Sequence, residues 1–113
     1  LQQRIDLVNE VTKEIKAIDV MTLNKLVVDF AKDHSATIIL RGLRAISDFE
    51  YEVQLASINR SIEPSIESVF MSPAEEYSFL SSSIVKDIAR HNGDTSNYVH
   101  PAVSEVLREK YSK

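Results

Sequence analysis

The 113-residue chain contains no cysteine and no tryptophan, and it has only two glycines and three prolines. The absence of cysteine excludes disulfide bonds, thiolate metal sites and cysteine nucleophiles, and it fits a reducing compartment. No apolar run approaches the ~18 residues of a membrane-spanning helix, and no targeting segment follows Leu1. With 43% hydrophobic and 27% charged residues, the composition is that of an ordinary globular protein. We therefore expect a single domain over residues 1–113, built from regular elements with few tight turns.

Positive charge is scarce in the second half of the chain. Residues 48–113 carry six Lys and Arg against eleven Asp and Glu, within a net charge of −4. Sequence-independent binding of nucleic acid needs a basic face, so this balance argues against it. A small anionic ligand held by two or three well-placed cations remains compatible with the same balance.

Hydrophobic periodicity predicts five helices and two strands. The helices are expected over residues 1–15, 22–34, 47–62, from the serines at 81–83 to Gly93, and from Pro101 onward, and the strands over 36–40 and 67–71. The β-branched run Ala36–Leu40 indicates a strand buried on both faces. Alternation of strands and helices predicts an α/β fold with a parallel sheet and flanking helices.

Two strands make a poor sheet, which indicates that more strands exist. We expect a further strand near Ala17–Val20, and others upstream of the given sequence. The first helix begins at Leu1 without a capping residue or lead-in. This start suggests a fold that is incomplete at its N-terminus.

The predicted helix 47–62 begins with a capping box, Ser47 to Glu50. It carries two apolar stripes, Phe49/Val53/Ala56 and Tyr51/Leu55/Ile58/Ile62. One stripe would pack on the sheet, and the second would need another partner, such as another subunit.

Two segments have the residue types of an anion site. Arg41-Gly42-Leu43-Arg44 follows the first strand, where open α/β sheets bind their ligands, and arginine forks match phosphate oxygens. The alternative is a pair of surface arginines forming ion pairs with Asp48 or Glu50. Ser81-Ser82-Ser83 begins a helix, whose free N–H groups favour anions, although one serine suffices as a simple cap. Anion sites after two successive strands suggest a polyphosphate.

The three histidines offer no catalytic or metal-binding pattern. His34 and His91 lie near helix ends and His100 precedes Pro101, and no pair has the spacing of metal ligands or of a hydrolytic triad. Glu75-Glu76 indicates a solvated turn. Phosphoryl-type transfer needs no nucleophile from the protein, so the absence of one does not exclude it.

The segment from Ile39 to Arg60 closely resembles bacterial phosphopantetheine adenylyltransferases, and so does the segment from Glu76 to Asp94. The resemblance implies a Rossmann-like fold, a cytoplasmic homohexamer, and transfer of AMP from ATP to 4′-phosphopantetheine with Mg²⁺, giving dephospho-coenzyme A and pyrophosphate; coenzyme A is a further possible ligand. Carried over by motif, it implies substrate contacts at Val27 and Arg41, and ATP contacts at Gly42, Leu43, Arg44, Glu52, Tyr77, Ser78, Phe79, Leu80, Ser81, Ser82 and Ser83. Tyr77 replaces the Trp of some relatives.

The family's Thr/His-x-Gly-His signature has no counterpart in this chain. Because the resemblance assigns catalysis to that histidine, no catalytic residue and no protein metal ligand is assigned here, and turnover by the 113 residues is not expected. Two alternatives remain open. One is another adenylyl- or cytidylyltransferase of the same superfamily, and the other is a non-catalytic module that binds anions or subunits.

Overall fold

The computed structural model describes residues 1–44 and 46–112, except for the side chains of Ile46 and Ser47. The chain forms two compact units. One unit is Leu23–Phe79, and the other combines Leu1–Thr22 with Leu80–Lys113. The elements follow the predicted order, and the expected α/β class with a parallel sheet and flanking helices is confirmed.

The unit Leu23–Phe79 is a parallel βαβ unit preceded by a helix. It contains α2 (Val27–Asp33), β1 (Ile38–Gly42), α3 (Ile46–Ile62), β2 (Glu67–Met71) and a 3₁₀ turn (Glu75–Tyr77). The two strands run parallel in the register Ile38↔Glu67 to Gly42↔Met71, and Leu43 N–H donates to the Met71 carbonyl at 2.9 Å. A small core of Val28, Ala31, Ile39 and Ile66 fixes α2 against the sheet.

Strand β2 has the predicted bounds, whereas β1 lies two residues later than the predicted strand 36–40. Arg41 and Gly42, predicted to form a turn, continue the ladder opposite Phe70 and Met71. The expectation of burial on both faces is wrong. Ile39 is buried, but Ile38 and Leu40, which lie on the opposite face, are 58% and 60% exposed because the described helices of this unit cover one face.

Helix α2 is shorter than the predicted segment 22–34. Leu26 has an extended backbone (ψ 139°), so the helical run begins at Val27. The predicted strand near Ala17–Val20 is wrong, because these residues lie in a turn and irregular chain after α1. Helix α3 begins at Ile46, so the predicted cap Ser47 lies inside the helix, and its side chain is outside the described part of the chain.

The other unit contains α1 (Gln2–Thr12), α4 (Ser82–Arg90) and α5 (Pro101–Tyr111). α1 packs on α5, and α5 packs on α4, whose Val85 and Ala89 are buried. As predicted, α1 begins without a side-chain cap and Pro101 is the first residue of α5. In the described ranges, no helix has the length and apolar character needed to cross a membrane.

Helices α2 and α4 end in the same way. Each has a histidine at the C-cap whose Nδ1 donates to the carbonyl four residues earlier: His34 to Phe30 at 2.8 Å and His91 to Asp87 at 2.9 Å. The next residue, Ser35 or Asn92, has a positive φ of 56° or 59°. After α4, Gly93 N–H donates to the Ile88 carbonyl at 2.8 Å, which completes a Schellman motif.

Candidate functional site

Arg41 lies at the carboxyl end of β1, on the sheet face that α3 covers. It shares that face with Ile39, because side chains alternate along a strand. From this position the side chain reaches α3, while 43% of it remains exposed. The strand therefore carries an arginine to the edge of the sheet where parallel α/β folds bind ligands.

Glu52 on α3 holds this guanidinium in a bidentate ion pair. Arg41 Nε donates to Glu52 Oε2 at 2.8 Å, and Nη2 donates to Oε1 at 2.6 Å. The Glu52 side chain is only 9% exposed. The two hydrogen bonds from Arg41 lower the pKa of Glu52, and the same pairing raises the pKa of Arg41, so both groups are charged at neutral pH.

Arg44 is tied to the first turn of α3. Asp48 Oδ2 accepts hydrogen bonds from the Arg44 backbone N–H at 3.2 Å and from its Nε at 3.1 Å. The predicted alternative, an ion pair from these arginines to Asp48, is thus present for Arg44. Its side chain is 46% exposed, so a ligand can still approach it.

The space around Val27, the second residue with a predicted substrate contact, is narrow. A crevice of about 10 Å³ is lined by Val27, Arg41, Glu52, the α3 residues Leu55, Ala56 and Asn59, and the sheet residues Ile39, Ser68 and Phe70. That volume is near the lower limit for one water molecule. A ligand of Arg41 therefore has to approach from the exposed side of its guanidinium.

The remaining predicted ATP contacts lie in two places. Tyr77 is the last residue of the 3₁₀ turn in the unit of Arg41, Ser78 follows it, and Phe79 is 82% exposed. Leu80 and the three serines belong to the other unit. There Ser81 is the N-cap of α4, and its hydroxyl accepts from Ile84 N–H at 3.2 Å, whereas Ser82 and Ser83 are exposed helical residues.

Each of the three histidines forms a hydrogen bond with the backbone at the end of a helix. His34 and His91 close α2 and α4, and His100 Nδ1 accepts from Ala102 N–H at 3.1 Å at the start of α5. Across residues 1–44 and 46–112, no group of three or more His, Cys, Asp and Glu could hold a metal ion.

The pairing of Arg41 with Glu52 was not predicted from the sequence. The predicted stripe Phe49/Val53/Ala56 is not the face that packs on the sheet, since Phe49 and Val53 are exposed. The second stripe, predicted to need another partner, is exposed at Tyr51, Ile58 and Ile62, and its partner stays a prediction. The packed side is Glu52, Leu55, Ala56 and Asn59, of which Glu52 and Asn59 are buried. These four residues follow one another at intervals of three, one and three positions, which is the spacing of one helix face. Because Glu52 and Asn59 are polar, hydrophobic periodicity does not reveal that face.

The parallel βαβ unit with its flanking helices is the α/β arrangement of a Rossmann-like fold. A family model described as cytidylyltransferase-like matches residues 1–88. The chain therefore belongs to the cytidylyltransferase-like family, a family of nucleotidyltransferases.

Proposed function

We propose that this nucleotidyltransferase chain serves the transfer of AMP from ATP to 4′-phosphopantetheine, which forms dephospho-coenzyme A and releases pyrophosphate. The observation that carries the proposal is the placement of the motif Arg41-Gly42-Leu43-Arg44. The segments 39–60 and 76–94 resemble phosphopantetheine adenylyltransferases, and the first of them lies where a βαβ unit binds phosphates.

In this proposal the acceptor phosphate attacks the α-phosphorus of ATP in line with the departing pyrophosphate. Arg41, with Val27 beside it, binds the acceptor phosphate, and Arg44 binds the triphosphate together with Gly42 and Leu43. Taken by itself, the segment Tyr77–Ser83 is also proposed, by the resemblance, as a triphosphate contact, and the first turn of α4 has the N–H groups and hydroxyls that favour an anion. Arg44 would stabilise charge that grows on the leaving group.

Magnesium enters this scheme with the nucleotide. Mg²⁺ keeps several waters and binds through substrate phosphates with one or two carboxylates, so a cluster of three protein ligands is not required. It would neutralise the charge of the triphosphate. We propose no protein ligand for it.

Assembly and location are also part of the proposal. By the same resemblance, the chain acts in the cytoplasm and assembles as a homohexamer. The exposed apolar side chains Tyr51, Ile58 and Ile62, on one face of α3, are available for a contact between subunits. Coenzyme A, which contains both substrate parts, would compete with them.

The 113 residues are expected to bind substrates without turning them over. Each of their histidines contacts its own helix end, and none belongs to a His-x-Gly-His signature. Binding is therefore the appropriate measurement. Isothermal calorimetry with ATP, CTP, 4′-phosphopantetheine and a mononucleotide acceptor tests the proposal, and ATP and phosphopantetheine should each bind at least about tenfold more tightly than their competitors.

Lysine variants test the division of roles, because lysine keeps the charge but loses the guanidinium fork. We expect Arg41→Lys to weaken phosphopantetheine binding about tenfold and Arg44→Lys to weaken ATP binding about tenfold. Arg60→Lys, at the other end of α3, is the matched control and should change neither. Preference for CTP or for a mononucleotide would favour another transferase of the superfamily, and anion binding without selectivity would favour a non-catalytic module.

A further inference from the structure

The buried carboxylate of Glu52 pairs with Arg41, the arginine proposed to bind phosphate. Glu52 accepts from Nε and Nη2 of Arg41, which are the two donors along one edge of the guanidinium. An arginine has five N–H donors. Across residues 1–44 and 46–112, Glu52 is the hydrogen-bond partner of this side chain, so three donors remain on the edges formed by Nη1 and Nη2.

Glu52 is the fixed member of the pair. Its side chain is 9% exposed and lies in the packed side of α3 among Leu55, Ala56 and Asn59, whereas the Arg41 side chain is 43% exposed. If Arg41 moved away to follow a ligand, a buried charge would lose its partner, which is strongly unfavourable. The guanidinium therefore stays on Glu52 while a ligand binds.

We propose that Glu52 is a positioning residue, which holds the Nε/Nη2 edge of Arg41 so that the Nη1/Nη2 end of the guanidinium presents paired N–H donors to the acceptor phosphate. The inference rests on the proposed function, in which Arg41 binds that phosphate. It gives Glu52 a role beside the ATP contact implied by the resemblance. Both Glu52 oxygens accept from Arg41, which is the contact that the positioning role requires.

This arrangement makes recognition depend on geometry more than on charge. Arg41 and Glu52 together carry no net charge, so the pair attracts anions weakly from a distance. Two parallel N–H donors nevertheless match two oxygens of a phosphate. A ligand with a terminal phosphate in the correct orientation is favoured over other anions.

The test compares 4′-phosphopantetheine with pantetheine, which lacks the phosphate. Calorimetry gives the ratio of the two affinities in the wild type, in Glu52→Gln and in Glu50→Gln, whose exposed side chain makes it a matched loss of one negative charge on α3. Glutamine has one acceptor oxygen in place of two. Its NH₂ group is a donor, so it cannot accept the second hydrogen bond from Arg41. We expect Glu52→Gln to lower the ratio about tenfold or more, and Glu50→Gln to leave it unchanged.

An unchanged or higher ratio in Glu52→Gln would overturn the positioning role, because mere removal of negative charge would strengthen phosphate binding. Equal binding of the two ligands by the wild type would contradict the proposed function itself, and the inference with it. Should Glu52→Gln fail to fold, NMR of the wild-type Arg41 Nε–H decides. The inference requires that this signal stay protected from solvent exchange when phosphopantetheine binds, and its loss would overturn the inference.

Discussion

At the scale of single residues, the Arg41–Glu52 pair links stability to pH. The hydrogen bonds from Arg41 lower the pKa of Glu52 below the ordinary value of about 4.3. The pair therefore stabilises the fold above that ordinary value, and the stabilisation is lost as the pH falls through the lower pKa of the folded state. We expect Glu52→Gln to reduce the free energy of unfolding at pH 7 by about 1–3 kcal/mol.

Urea unfolding at several pH values measures this effect. The difference between the wild type and Glu52→Gln should shrink steadily as the pH is lowered from about 5 toward 2. Glu50→Gln, on the exposed side of α3, is the control for loss of a surface carboxylate. A difference that stays constant over this range would show that the ionised state of Glu52 does not stabilise the fold.

Single residues also show where sequence reasoning succeeds. Arg41 could be identified because its position after a β-branched run places it at the ligand-binding edge of a parallel sheet. Its partner could not be identified, because Glu52 is eleven residues away and the contact depends on how α3 rotates over the sheet. A buried glutamate is rare unless paired, so the sequence favoured an exposed position for it.

At the scale of elements, the serines at the start of α4 have two different roles. One serine caps the helix, and the other two are candidate ligand contacts. Ser81 caps the helix, and the exposed Ser82 and Ser83 are proposed to meet the triphosphate. We expect Ser81→Ala to lower the stability of the chain by about 1 kcal/mol. The double variant Ser82→Ala/Ser83→Ala should leave stability within about 0.5 kcal/mol and weaken ATP binding about tenfold.

Thermal unfolding and calorimetry on the same three proteins distinguish these roles. If the double variant binds ATP like the wild type, the two serines do not contact the nucleotide. If Ser81→Ala is as stable as the wild type, the hydrogen bond to Ile84 N–H contributes nothing to the helix.

The end of α4 depends on the absence of a side chain at Gly93. A Cβ atom there would lie 2.6 Å from Ile88 Cγ2 and 3.0 Å from the Ile88 carbonyl oxygen. We expect Gly93→Ala to destabilise the chain by about 1–3 kcal/mol. Ile88→Leu removes the methyl group on Cβ, so the double variant should regain part of that loss, and a double-mutant cycle from urea unfolding measures the coupling.

Strict additivity of Gly93→Ala and Ile88→Leu would contradict this steric account. The coupling should be incomplete, because the contact with the backbone carbonyl remains in the double variant.

The elements themselves were predicted unevenly, for physical reasons. β2 was predicted to the residue, since a short alternating run ends before Pro73, which has no N–H for a ladder. β1 was shifted because Arg41-Gly42 has the composition of a turn, whereas pairing with β2 extends the ladder through both residues. Pairing across a sheet is a long-range interaction, so local composition does not reveal its limits.

At the scale of the whole molecule, the exposed apolar face of α3 provides a test of assembly. Tyr51, Ile58 and Ile62 lie on one face at spacings of seven and four residues, and each is at least 48% exposed. We expect Ile58→Glu/Ile62→Glu to shift the chain toward smaller species in sedimentation velocity, because carboxylates oppose burial in a subunit contact. Gln54→Glu, an exposed position of the same helix, should leave the distribution unchanged.

An identical sedimentation profile for the double glutamate variant would exclude this face as a subunit contact. The fold should tolerate the substitutions, because both side chains are already in contact with solvent.

For the molecule as a whole, the element order was predictable because helical and strand periodicities differ clearly. The expected strand near Ala17–Val20 was wrong, because it came from a preference for larger sheets and not from a pattern in those residues. The division into two units could not be predicted from local sequence. One boundary lies between Phe79 and Leu80, inside the segment 76–94 that was interpreted as a single motif.

The two arginines of the candidate site are anchored by carboxylates on a single helix. Asp48 and Glu52 are four residues apart on α3, which is about 6 Å along the axis. Insertions and deletions should therefore be tolerated very differently on the two sides of this site. An extra residue between Gly42 and Arg44 lengthens a loop and leaves the spacing of the carboxylates intact. One inserted between Asp48 and Glu52 would turn one carboxylate about 100° away from its arginine, so the helix, not the loop, is the segment whose length has to be maintained.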